Sequence, residues 1–168
     1  LLRSPRGRAR QMNVGAAAAH GDILLFLHAD TVLPPQADQL VAAAIAGGAH
    51  WGRFDVRIAG DSAWFPLIAT LMNLRSRLTG IATGDQAIFV TRTAFAQVGG
   101  FADIPLMEDI ILSRHLRQLG RPACLRQKVT TSGRRWEKRG VLHTVFTMWW
   151  LRLRFGGKEE SEDGGGKR

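Results

Sequence analysis

Gly21-Asp22-Ile23-Leu24-Leu25-Phe26-Leu27-His28-Ala29-Asp30-Thr31, with Pro34 and Pro35 just beyond, is the stretch whose reading decides the fold. Five apolar residues in a row, bounded by a Gly-Asp turn and a polar loop, predict a strand buried on both faces. That is the pattern of a parallel sheet rather than the alternation of a half-wet one. The run ends abruptly in His28 and Asp30, two potential metal ligands separated by one residue. In open α/β sheets, ligands bind beyond the carboxyl ends of the strands. A carboxylate there can hold a hard divalent cation, which in turn neutralises a phosphate-bearing substrate. A strand followed by an ordinary Asp-containing turn fits the same residues, so the rest of the chain has to decide.

Upstream, residues 3–10 carry four arginines, and Gln11-Met12-Asn13-Val14-Gly15 leads into Ala16 to Ala19. The pattern predicts a helix from Arg8 to His20 with Gly21 as its cap. Its arginines sit in a loop and first turn, where backbone N–H groups also favour an anion. A solvated basic loop reads the same way for any one of them. Downstream, Pro34-Pro35 opens a second helix with Leu40, Val41, Ala44 and Ile45 on one face, and Gly47-Gly48 ends it. Residues 51–58 alternate in part, with Phe54, Val56 and Ile58 on one side, which predicts a strand with one wet face. Residues 62–79 predict a helix whose Trp64, Leu67, Ile68, Leu71, Met72 and Leu74 belong to the core. Arg75 and Arg77 occupy its last turns, as the helix dipole favours.

Gly84-Asp85-Gln86 leads into a short strand, and a brief helix follows, ended by Gly99-Gly100. The loop from Phe101 to Met107 then delivers Glu108-Asp109 to the first turn of a helix that runs to Leu119. Leu112, Leu116 and Leu119 form its core stripe, with Gly120 as its cap. Two acids in a first turn are also routine partners of the helix dipole. A last strand covers residues 123–129 and a loop residues 130–133. Arg134-Arg135-Trp136-Glu137-Lys138-Arg139 is strongly basic, residues 141–155 predict an apolar helix, and the tail 156–168 has a disordered composition. Trp149 and Trp150 beside Arg152 and Arg154 are a mixture favoured at a membrane–water interface, and packing against the domain or a second subunit fits that helix as well.

The 168 residues suit one domain with a sizeable core. Lys and Arg outnumber Asp and Glu 23 to 14, a net charge of +9. Arginine supplies most of it, which suits phosphates, nucleic acid or a membrane surface. Cys124 stands alone, so no internal disulfide and no cysteine zinc cluster can form, and a buried strand thiol is its expected role. No continuous apolar run reaches the roughly 18 residues needed to span a bilayer. No signal-peptide pattern is present, which predicts a cytoplasmic location. Leu1 stands in place of an initiator Met and opens directly into the basic loop, as the middle of a domain would.

Four segments together carry a resemblance. Residues 7–139 are similar to the later two-thirds of a family 2 glycosyltransferase with the GT-A fold. Gly7-Arg8-Ala9-Arg10-Gln11-Met12-Asn13-Val14-Gly15 resembles the family's basic segment before its central strand. Phe26-Leu27-His28-Ala29-Asp30-Thr31-Val32-Leu33-Pro34 resembles the metal-binding Asp-x-Asp strand end. Val98-Gly99-Gly100-Phe101 followed by Glu108-Asp109 resembles the acceptor-loop signature with its Glu-Asp pair, and Ser132-Gly133-Arg134-Arg135-Trp136 the Arg-Trp element beyond it. The wording Gly-Arg-Ala-x-Gln-Met-Asn and His-Ala-Asp-Thr is closest to a prokaryotic subgroup of unassigned substrate, often encoded near radical-SAM proteins.

The resemblance implies an α/β domain over residues 1–155, with a GT-A, Rossmann-like, mostly parallel sheet flanked by helices. It also implies that the first βαβ segment is missing, so an N-terminally truncated chain is expected. The activity implied is inverting transfer from a nucleotide-diphosphate sugar to an acceptor hydroxyl, with Mn or Mg as the divalent cation. Asp109 is then the general base, with Glu108 beside it as orienter or acceptor contact. Asp30 is the metal ligand; His28, standing where most relatives have the first Asp, is a neutral second ligand or a ribose contact. Arg8, Asn13, Asp85, Arg134, Arg135 and Trp136 complete the expected donor and acceptor contacts, the tryptophan offering a flat apolar face to a sugar. A lipid-linked acceptor at the inner face of a membrane fits the apolar helix.

The rival class is a basic nucleic-acid-binding module. Charge supports it, but no helix-turn-helix, zinc-knuckle or aromatic RNA-binding signature accompanies the charge, so no nucleic-acid partner is expected. A catalytically inactive fragment or a peripheral membrane protein is the remaining alternative.

Overall fold

The computed structural model describes residues 2–134. They comprise β1 (Ile23–Phe26), β2 (Thr31–Val32), β3 (Trp51–Ala59), β4 (Ile88–Thr91) and β5 (Ala123–Ser132), with α1 (Arg8–Ala18), α2 (Ala37–Ala46), α3 (Phe65–Thr79), α4 (Arg92–Gln97) and α5 (Glu108–Leu119). One compact unit spans Leu1–Ser132 and a second spans Gly133–Arg168, of which only residues 133 and 134 are described. Arg135, Trp136, the helix expected over 141–155 and the tail 156–168 lie outside the described residues, as does the expected domain boundary at 155. No helix among the described residues is long and apolar enough to cross a membrane.

The α/β class stands: a five-stranded sheet flanked by helices, in the order β1-β4-β3-β5-β2. Strand direction departs from the expected mostly parallel sheet. Only β3 and β5 run parallel, while β1–β4, β3–β4 and β2–β5 are antiparallel. An apolar run reports burial and carries no information about direction. The registers Ile23↔Thr91 and Phe26↔Ile88 place the start of β4 beside the end of β1. That reversal brings the turn preceding β4 next to His28.

Burial corrects two further expectations. The opening strand is not covered on both faces: β1 lies at an edge of the sheet and only Leu24 is fully buried. Conversely, β3 has no wet face over residues 51–56. Its Arg53 is completely buried, donating to the Asp55 carboxylate, to Ser76 Oγ at 3.0 Å and to the Asn73 carbonyl at 3.1 Å. Arg77 donates to the other Asp55 oxygen at 2.7 Å. Alternation cannot reveal a charge that is paired on all sides; Asp55 is a neighbour on β3, and α3 supplies the Ser76 and Asn73 partners. Cys124 is half-buried on β5.

The principal core lies between the β1–β4–β3 part of the sheet and α1, α4 and α5. Leu24, Trp51, Ile88, Val90, Phe95, Phe101, Leu112 and Leu116 form it. Leu112 and Leu116 are buried one turn apart and Leu119 packs partly buried against them, the stripe expected of α5. Gly52 admits this packing because a Cβ there would collide with the Ala123 carbonyl and the Phe89 ring. Phe26, Phe95 and Phe101 meet with ring centroids 4.8–5.7 Å apart. Each such pair adds about 0.5–1.5 kcal/mol beyond its buried area, which pins the loop after α4 to the sheet.

Candidate active site

The first turn of α5 carries the two acids, and their surroundings set them apart. Glu108 is buried, and its carboxylate is held by Arg8 of α1, with Nε 2.9 Å from Oε1 and Nη2 3.2 Å from Oε2. This two-point pairing suits the guanidinium fork. Asp109 is half-buried and, among the described residues, bonded to backbone: Oδ2 accepts from the Gly84 N–H and Oδ1 from the Ile110 N–H, both at 2.8 Å. Each of its oxygens keeps a lone pair, and the group is fixed in direction.

Gly84 begins a 3-10 turn, Gly84–Gln86, that leads into β4. The His28 ring packs against it so closely that a Cβ at residue 84 would overlap Nε2. At the other side of the ring, His28 Nδ1 lies 3.2 Å from Asp85 Oδ1, the imidazole N–H donating to the carboxylate. The turn is anchored from below. Gln86 Nε2 donates to Asn73 Oδ1 at 3.3 Å, and Asn73 brackets the Val56 backbone through bonds of 2.9 and 3.0 Å. Met12, Phe26 and Phe101 form the apolar wall and His28, Gly84 and Asp109 the polar wall of a narrow cleft of about 10 Å³, space for one water.

The hydrogen bond to Asp85 holds the His28 pKa above the ordinary imidazole range, against the opposing effect of burial. A raised folded-state value means that the pairing stabilises fully below about pH 6.5, the unfolded value, and that its contribution is lost as pH rises through the folded value. In an NMR titration, Asp85→Asn is expected to bring the His28 midpoint down. A midpoint that does not move in that variant would show that Asp85 is not the cause.

Arg8, His28, Asp85, Glu108 and Asp109, expected from sequence as site residues, therefore come together. Asn13 takes a different part. Its Nδ2 donates to the Phe101 carbonyl at 2.8 Å and its Oδ1 accepts the Phe101 N–H at 3.0 Å, so both ends of the amide hold the loop after Gly100. Arg10 grips the same loop further on, with Nε 2.8 Å from Asp103 Oδ1, and that exposed pairing holds the Asp103 carboxyl below its ordinary range. Arg134 is exposed and belongs to the second unit. Gly84, Gln86 and Asn73 escaped the sequence reading. The Gly beside Asp85 was the available signal, whereas the Asn73–Gln86 contact joins residues that no local pattern connects.

Asp30 is exposed just before β2, its carbonyl accepting the Ser132 N–H at 3.2 Å. Among the described residues no group of three or more His, Cys, Asp or Glu side chains forms a metal cage. One exposed carboxylate suits Mg²⁺ or Mn²⁺, which take one or two carboxylates and draw their other oxygens from water and substrate phosphates. His28, expected as a second ligand, has Nδ1 facing Asp85 and its Nε2 edge packed against Gly84.

The family model described as Glycosyl transferase family 2 matches residues 1–100, more than half of the 168. The match includes α1, Asp30 and Asp85 and stops short of Glu108 and Asp109. A search of the curated proteins found no match.

Proposed function

The chain belongs to glycosyl transferase family 2, and from that premise we propose that it moves a sugar from a nucleotide-diphosphate sugar to an acceptor hydroxyl, with inversion and with Asp109 as general base. The observation that supports this best is the Asp109 carboxylate, fixed by two backbone N–H groups on the wall of the cleft beside His28. Inversion needs the acceptor oxygen to attack the anomeric carbon on the face opposite the departing diphosphate. The acceptor loses its proton as the new bond forms, and a carboxylate of fixed direction receives it. Glu108, with both oxygens on Arg8, is a positioning residue in this reading: it ties α1 to the start of α5.

Asp30 would hold the divalent cation, which when bound neutralises charge on the leaving diphosphate. The exposed Arg3 and Arg6 of the basic loop add favourable potential for the same anion. A lipid-linked acceptor and contact with a membrane surface belong to this proposal as an extension of it.

A panel of nucleotide-diphosphate sugars with and without Mn²⁺, read by calorimetry against a DNA duplex, tests the proposal. Manganese-dependent binding of one donor class is expected. Asp30→Asn should weaken it tenfold or more, about 1.4 kcal/mol, with little change in melting temperature because the Asp30 side chain is exposed. Undiminished manganese-dependent binding in that variant would remove Asp30 from the metal. Binding of DNA with no response to any nucleotide sugar would sink the transferase reading.

A further inference from the structure

Helix α3 turns Phe65, Ile68, Ala69, Asn73 and Ser76 toward the sheet. Its other side does not match the core role expected from sequence. Trp64 just before the helix is 61% exposed, and Leu67, Leu71, Leu74 and Leu78 are 50–70% exposed. These five residues follow one another at steps of three, four, three and four. A surface helix ordinarily places polar residues on the side away from the core. The 3-4-3-4 spacing is the narrow seam, with a period of 3.5 residues, that two helices use to pack knobs into holes.

We propose that this stripe is a homodimer interface, on which a second copy of the chain lays its own α3 antiparallel. The spacing asks for a helix as occupant, and a second copy supplies one with a matching seam. Five side chains at these exposures offer about 500 Å² per copy and about 1,000 Å² for a symmetric pair, the threshold for a specific interface. The helix dipole selects the direction: an antiparallel pair opposes the two dipoles, whereas a parallel pair stacks like against like. Trp64 and Leu67 of one copy then lie over Leu74 and Leu71 of the other. The inference is independent of the catalytic proposal.

Sedimentation equilibrium of the full chain from about 1 to 100 µM is expected to show twice the chain mass. Leu71→Glu/Leu74→Glu should raise the dissociation constant at least 100-fold and leave the melting temperature within a few degrees, since neither side chain is buried. Leu27→Glu, at the open edge beside β1, should leave the dimer intact. A wild-type monomer overturns the proposal, as does a dimer that survives the α3 variant or one that Leu27→Glu dissolves. A monomer that binds anionic phosphatidylglycerol vesicles through the same leucines would overturn it in favour of a membrane.

Discussion

Asp109→Asn is expected to lower turnover by at least two orders of magnitude, about 2.7 kcal/mol of transition-state stabilisation, while leaving donor affinity within about twofold. The two halves of this expectation come from different parts of the site. An amide cannot take the acceptor proton, so the chemical step loses its base. Donor binding is assigned to Asp30 and the basic loop, which the substitution does not touch. Asparagine has one oxygen where aspartate has two, so it can keep only one of the bonds to the Gly84 and Ile110 N–H groups. Losing the other should cost about 1 kcal/mol of stability, and a melting curve separates that from the kinetic effect. Measurement uses the donor identified by the calorimetric panel. A variant that turns over normally but binds donor poorly would move Asp109 to the nucleotide side of the reaction.

Arg8→Ala is expected to destabilise the fold by about 2–4 kcal/mol in urea unfolding at neutral pH. Removing one partner of a buried pair leaves the other as an uncompensated charge, typically at a cost of about 3–5 kcal/mol. Glu108 is 2% exposed and Arg8 43% exposed at the side chain, so water entering the vacated space should reduce the figure. The same reasoning predicts a rescue. Arg8→Ala/Glu108→Gln should recover more than half of the loss, because the double variant buries no unpaired charge. If the single variant is as stable as wild type, α1 and α5 are held by packing alone. If the double variant is no better than the single, the loss comes from the arginine's apolar stem rather than from its charge.

The elements whose positions follow from local pattern were legible from the chain alone. The helix opening at Glu108, with Leu112, Leu116 and Leu119 inward and Gly120 at its end, is written in periodicity and punctuation. So are the helix from Arg8, the Gly47 stop of α2, and the presence of His28, Asp30 and Asp85 in loops at strand ends. The family resemblance rests on the order and spacing of such segments, and the match over residues 1–100 agrees with it.

Tertiary structure decided what depends on pairing across long separations. Whether β1 sits inside the sheet or at its edge depends on how many neighbours it acquires, and the apolar run Ile23 to Leu27 reads the same in both places. Asn13 offered an amide suited to a donor, yet folding gave both its ends to the backbone of Phe101, 88 residues away. Arg53 reads as a residue on a wet strand face until Ser76 and the Asn73 carbonyl arrive from α3 to satisfy its guanidinium. The leucines of α3 show the converse, since hydrophobicity states only that a side chain gains by leaving water. Which neighbour covers it is fixed by packing, and here the sheet takes the Phe65, Ile68 and Ala69 side of α3 and leaves Leu67, Leu71, Leu74 and Leu78 exposed.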